Sequence, residues 1–348
     1  MDQPLWDYHV IHIDLEGLDH SADLITRLLE STARVSALAR IVSGLGALAK
    51  KLTDLVHDNA EEIEIFKIRV KLRGSIGPSW RELADILMRR LASADQPVVF
   101  FLDELPLMLD RLLKSEEGTA EAIALMRWLR GLRQAPDLHT LRFVLAGSIG
   151  IERLLNQIGE ISTINDFERM KLQPYSQLVA EQFLGSLSNS YNFSLDNETR
   201  AAMLTLIGPP VPYFLQVLFS ETRKACDDES SEPSVALVER VYHEKVLGED
   251  CKTYFDHYYT RFRLYYPVHL EKAAKSILRE LAQVGEMTRD ACHQLYQQET
   301  HDKADFDEFA GLMADLEYEF YIAFDQDQRR YRFACKLLRD WWLRHYSL

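Results

Sequence analysis

The chain has 348 residues, 47% of them apolar and 27% charged, and a formal net charge of −14. That length accommodates two or three domains, each with its own core. The acidic excess argues against a broad nucleic-acid-backbone surface and against an anionic membrane surface.

Four cysteines, Cys226, Cys251, Cys292 and Cys335, are widely separated and form no CxxC pair. They suggest neither a zinc site nor a disulfide framework, and a reducing compartment fits. The N-terminal run MDQPLWDYHV lacks the basic region and apolar stretch of a signal peptide. The longest apolar stretches, such as FVLAGSIGI, are too short to span a bilayer. A cytoplasmic protein without membrane contact is expected.

In chain order, YHVIHIDLEG (Tyr8–Gly17) reads as a buried strand with an acidic end, followed by helix from about Ser21. EIEIFKIRVKLRG (Glu62–Gly74) alternates apolar and polar residues, as a half-exposed strand does. SWRELADILMRRLAS is an amphipathic helix with Ser79 as candidate N-cap and Glu82 three residues on. A strand Val98–Asp103, a helix near Ala120–Gln134, a strand Leu141–Ser148 and a short strand Arg169–Pro174 follow. Short apolar runs alternating with amphipathic ones are the pattern of a layered α/β fold.

From Ser176 the character is all helix: SQLVAEQFLGSLS, DNETRAAMLTLIG and VPYFLQVLFSETRKA. CDDESSEP (Cys226–Pro233) reads as an acidic loop or hinge. Near Pro267 a third composition begins, with helices in LEKAAKSILRELAQVG, TRDACHQLYQQ and DFDEFAGLMADLEYEF. Two strands with a polar tip, YIAFDQDQRRYRFA, and a closing helix with LLRDWWLRHY complete it. Three helices and a hairpin are the winged-helix arrangement.

The chemistry concentrates in QPVVFFLDELPLML (Gln96–Leu109), where an apolar strand ends in Asp103 and Glu104. Two carboxylates at the carboxyl edge of an open α/β sheet stand where ligands bind. They suit phosphoryl transfer, one holding Mg²⁺ and the other orienting water. The competing reading is a strand whose acidic end caps the helix at Leu105, and the motif alone leaves both open. The next strand ends VLAGSIG, which puts Ser148 beside Gly147 and Gly150; a plain turn hydroxyl is the alternative there. LIGPPVPYFLQVLF places Gly208 and three prolines at a break between helices.

The order of these parts resembles the prokaryotic ATPases of the AAA+/STAND group, the archaeal-ATPase family, over nearly the whole chain. The resemblance implies a P-loop-type parallel sheet, a helical lid and a C-terminal winged helix, divided as 1–174, 175–250 and 251–348. It implies Asp103 as the Walker B metal carboxylate, Glu104 as catalytic base and Ser148 as sensor. It places Gly208 and Pro210, in the helix break, near the nucleotide. ATP and Mg²⁺ are the implied cofactors, and the implied function is that of a nucleotide-dependent switch ATPase.

The family's phosphate loop, GxxxxGK[ST], is absent from the sequence. SGLGALAKKLTD (Ser43–Asp54) has Gly44 and Gly46 too close together and Leu52 after Lys51; RGSIGPSW (Arg73–Trp80) has no lysine. In the family this loop lies upstream of the strand that is Tyr8–Asp14 here. The expectation is therefore a chain lacking its first strand and Walker A segment, central in the family's sheet, with little or no ATP affinity.

The expected third winged-helix helix, Asp302–Glu319, carries seven acids against Lys303, a net of −6. It would repel phosphate. A protein-facing role is favoured over DNA, although Arg329, Arg330 and Arg332 make the hairpin tip basic. Trp341 and Trp342 read as core residues. The alternative function is a non-catalytic regulatory or interaction protein, DNA-associated through its wing.

Overall fold

β1 (His9–Asp14) points Ile11 and Ile13 to one face and Val10, His12 and Asp14 to the other. Ile11 and Ile13 are fully buried, while Val10 is 41% exposed. The strand expected to be buried is therefore buried on one face only. The structure, a computed structural model, describes residues 7–41, 79–116, 118–300 and 305–346. The alternating run Glu62–Gly74 and both glycine clusters, apart from the start of the helix at Ser79, lie outside the described residues.

α1 (Ser21–Arg34) and α2 (Ser79–Ala92) follow. α2 begins at Ser79 itself, the residue expected as its cap. β2 (Val98–Asp103) runs as the sequence indicated, into α3 (Leu105–Leu113) and then α4 (Gly118–Gln134). β3 (Leu141–Leu145) stops three residues short of the expected end. Its last ladder bond runs from Ala146 N–H to the Leu102 carbonyl, 3.0 Å, before the backbone turns through Gly147 toward α5 (Ile151–Gln157).

The three strands are parallel in the order β1-β2-β3, with Asp14 opposite Asp103. All-parallel pairing requires crossover helices, and buried Leu24, Leu28, Leu87, Leu91, Leu125 and Leu129 supply their apolar stripes. Among the described residues no strand pairs with the outer edge of β3.

The chain divides into two units, Met1–Glu168 and Arg169–Leu348. In the second, residues 169–174 form no strand, contrary to the expectation for Arg169–Pro174. Alternation supplies β propensity, but a strand exists only where a partner ladder accepts it. Here Met170 and Leu172 are 78% and 85% exposed. The segment is held instead by Lys171 Nζ donating to the Glu317 carbonyl and Tyr175 N–H donating to the Pro210 carbonyl.

α6 (Gln177–Tyr191) and α7 (Asn197–Ile207) are capped by Ser176 and Asp196, whose side chains accept from the N–H groups of Val179 and Thr199. α8 (Pro212–Glu229) extends four residues into the stretch read as a hinge. Buried Cys226 keeps that turn on the core, and the helix ends only at left-handed Ser230. α9 (Val235–Val241), capped by Ser234, runs into a π-helical turn, Tyr242–Val246, closed by Leu247 N–H on the Tyr242 carbonyl.

α10 (Lys252–Tyr265) and α11 (Val268–Val284) lead to a three-residue strand, β4 (Glu286–Thr288). Then come α12 (Arg289–Thr300), α13 (Phe306–Tyr318), the hairpin β5 (Ile322–Asp325) and β6 (Arg330–Phe333), and α14 (Lys336–Tyr346). The antiparallel sheet has the order β4-β6-β5. β4 was missed because three residues carry no period. One apolar core runs from Ala180 to Trp342, joining elements on both sides of residue 250. Trp341 and Trp342 are fully buried in it, and all four cysteines are buried thiols.

Candidate functional site

β2 delivers Asp103 at its last position, and the backbone then makes a sharp turn. Glu104 sits in the left-handed region at φ 54°, ψ 30°, and caps the start of α3. That conformation costs an L residue about 1–2 kcal/mol. Two contacts hold it: Glu104 N–H donates to Asp103 Oδ1 at 3.0 Å, and the Glu104 carbonyl accepts from Met108 N–H at 3.2 Å.

The Glu104 carboxylate reaches the end of the neighbouring strand. Its Oε2 accepts from both Ser148 N–H, 3.0 Å, and Ser148 Oγ–H, 3.1 Å. Gly147 makes this approach possible, because a Cβ there would lie 2.5 Å from Pro106 Cδ. Gly147→Ala is expected to push the Ser148 turn off Glu104 and to cost about 1–3 kcal/mol in a urea titration, the usual range for overpacking. Ser148→Ala, which keeps the backbone N–H donor, should cost less.

Asp103 leaves its second oxygen to the solvent side. Oδ2 lies 3.7 Å from His12 Nε2 of β1, with side-chain exposures of 44% and 63%. Asp14, in register with Asp103, uses Oδ1 to accept from Glu16 N–H and close its own turn. His12 was not singled out in the sequence; the signal for it was the β1–β2 register, invisible before the strands are paired.

The structure thus brings Asp103, Glu104 and Ser148 together in the first unit. Gly208 and Pro210 belong to the second. Gly208 ends α7 at φ 80°, ψ −131°, and a Cβ there would meet Lys336 N at 3.1 Å and Lys336 Cβ at 3.2 Å. The break therefore rests on the first turn of α14. Two cavities of about 530 and 270 Å³ also lie in the second unit, lined by residues of α6, α8 and their surroundings, and neither includes a predicted site residue.

Does the donor set at Asp103 fit a divalent cation? A hard dication such as Mg²⁺ takes one or two carboxylates and completes its shell with water and phosphate oxygens. Asp103 is oriented by the Glu104 amide and presents Oδ2 to solvent, which fits such use. Among the described residues no group of three or more His, Cys, Asp or Glu side chains is placed to hold an ion.

Comparison with known proteins gave no matching family model and no matching curated protein. Solved structures do match. The Walker-type ATPase PABY2304 of Pyrococcus abyssi superposes with a TM-score of 0.57 at 14% identity, covering 96% of this chain and 83% of that one. The Aeropyrum pernix ORC2 protein, solved in ADPNP–ADP complexes, gives 0.52 at 11% identity, covering 94% and 74%. The described fold is similar to that of these two solved structures. At these identities the likeness establishes the fold alone. No helix among the described residues is long and apolar enough to cross a membrane.

Proposed function

We propose that this chain is an ATP-binding, Mg²⁺-dependent AAA+/STAND-like switch ATPase. In this reading Asp103 is the Walker B carboxylate and Glu104 the catalytic base. Ser148 is the sensor, Gly208 and Pro210 lie near the nucleotide, residues 175–250 form the lid and 251–348 a winged-helix domain. The observation that carries it is the joining of Asp103, Glu104 and Ser148 at the carboxyl edge of a parallel sheet. The nucleotides in the Aeropyrum structure support the same reading.

Asp103 would hold the cation through Oδ2. When bound, Mg²⁺ supplies charge neutralisation on the triphosphate. Glu104 would orient a water and accept its proton, and the Ser148 donors on Oε2 fix the carboxylate for that task. The Ser148 hydroxyl is committed to Glu104 here, so sensing a phosphate requires it to turn away from that carboxylate.

Because the sequence contains no GxxxxGK[ST] run, the expected Kd of this chain for Mg²⁺-ATP is weaker than about 1 mM, a binding energy of only about 4 kcal/mol. Calorimetry tests this, and micromolar binding would contradict it. The catalytic role is tested by Glu104→Gln at high Mg²⁺-ATP, where loss of a general base removes about 10²–10⁴-fold in turnover. Unchanged turnover would remove Glu104 from the base role, and no turnover in either form would favour the second reading, a non-catalytic regulatory protein, for which the absent phosphate-loop motif speaks.

For partners we favour protein over nucleic acid. The exposed side of α13 presents Phe306, Asp307 and Tyr318, which suits a protein surface better than a phosphate backbone. Part of its acid content is structural: Glu308 accepts from Tyr296 and pairs with His269, and Glu319 is buried beside Arg261 and Tyr266. Only the remainder is open to a partner.

A further inference from the structure

We propose that His12 is a second protein ligand of the cation carried by Asp103, and that the pair takes a first-row transition dication in preference to Mg²⁺. The proposal rests on the reading of Asp103 as the metal carboxylate.

The geometry begins with register. β1 and β2 are parallel, with His12 beside Phe101 and Asp14 beside Asp103. Side chains alternate across a sheet, so His12 and Asp103 rise from the same face. The imidazole lies toward the carboxyl edge, bringing Nε2 to 3.7 Å from Asp103 Oδ2. That is too long for a hydrogen bond. Adjacent ligands about 2.1 Å from one ion stand about 3.0–3.4 Å apart, so a closure of a few tenths of an ångström lets both donors share it.

The other Asp103 oxygen is already spent. Oδ1 accepts the Glu104 amide, which fixes the carboxylate plane and turns Oδ2 toward His12. Both side chains are substantially exposed, so a hydrated ion can reach them and the pair is free to close on it. Among the described residues each is paired only with the other and with no third charged group. The other β1 histidine contrasts with this: His9 Nε2 sits 3.0 Å from Asp95 Oδ1, at hydrogen-bond distance with no room for an ion between.

Donor chemistry then sets the preference. Carboxylate and water oxygens alone suit Mg²⁺, whereas an imidazole nitrogen favours transition dications along the Irving–Williams order. With only two protein ligands, the ion keeps several waters, and those are the positions that phosphate oxygens of a nucleotide would replace. His12 would thus act on which metal is carried, while Asp103 acts on whether one is carried at all.

The experiment uses the full chain without nucleotide, labelled in its histidine rings, with Mn²⁺ and then Mg²⁺ as probes. Trace Mn²⁺ is expected to broaden the His12 ring signal before those of the other ten histidines. In competition calorimetry, His12→Ala should lower Mn²⁺ affinity by at least about tenfold, the scale set by loss of even an outer-sphere partner. Mg²⁺ affinity should stay unchanged, as it should for both ions in His9→Ala. Asp103→Asn should abolish binding of both. If Asp103→Asn removes both ions but His12→Ala leaves the Mn²⁺-to-Mg²⁺ ratio unaltered, the His12 proposal fails and the reading of Asp103 stands. If Mn²⁺ still binds at His12 in Asp103→Asn, or if no ion binds near either residue, the carboxylate reading fails with it.

Discussion

Trp342→Ala is expected to lower the unfolding free energy of the second unit by about 3–5 kcal/mol, the range for deleting a fully buried large aromatic. The indole is 0% exposed. Its ring meets Tyr259, Phe262, Tyr321, Phe333, Trp341 and Tyr346, with centroids 5.6–6.4 Å apart. These neighbours come from α10, the β5–β6 hairpin with its entry, and α14, so the cavity has no single flexible wall to collapse onto it. Loss of that magnitude is a large fraction of a domain's net stability. Guanidinium denaturation followed by tryptophan fluorescence and far-UV dichroism provides the check. A loss below about 1 kcal/mol would mean that this core is not packed as described. Since one apolar cluster spans Ala180 to Trp342, signals from helices on both sides of residue 250 should shift together.

Gly208→Val is the second large effect. At φ 80°, ψ −131° the backbone occupies a region that side-chain-bearing residues rarely enter, at a cost of about 1–3 kcal/mol. The added Cβ would also press on the Lys336 amide and Cβ at 3.1 and 3.2 Å, and Lys336 is the first residue of α14. Backbone cannot swing aside as a side chain can, so the first turn of α14 must shift. Hydrogen exchange should register faster opening in α14 as well as in the α7–α8 junction. Protection lost in α7 and α8 alone would show that the two segments are not mechanically joined.

How much of this was legible beforehand varies by residue. Val98–Asp103 was read to its exact ends because a continuous apolar run closed by two acids has one economical interpretation. The helices from Ser176 onward were legible as segments, whereas Ser176, Asp196 and Ser234 stand out as caps only in the structure. The joining of Glu104 to Ser148 was foreshadowed only as two strand ends; the hydrogen bonds and the left-handed backbone at Glu104 depend on pairing and on the Pro106–Gly147 contact.

The misreadings share a cause. Residues 169–174 alternate as a strand does, yet strand formation is decided by a partner elsewhere in the chain. The acidic run at Cys226–Pro233 looks like a linker by composition, but one buried side chain, Cys226, is enough to keep its first half helical. His12 was overlooked because a histidine in an alternating run is unremarkable until its neighbour across the ladder is known.

The π-helical turn has a further consequence through what it presents to α14. Tyr242 donates its hydroxyl to Asp340, the His243 carbonyl accepts from Arg344, and the Leu247 carbonyl accepts from His345. All three attachments join segments about a hundred positions apart in the chain. During translation, the helices from Gln177 onward would stand with their apolar sides unsealed until α14 emerges, and a chain cut just before α14 should be sticky and protease-sensitive.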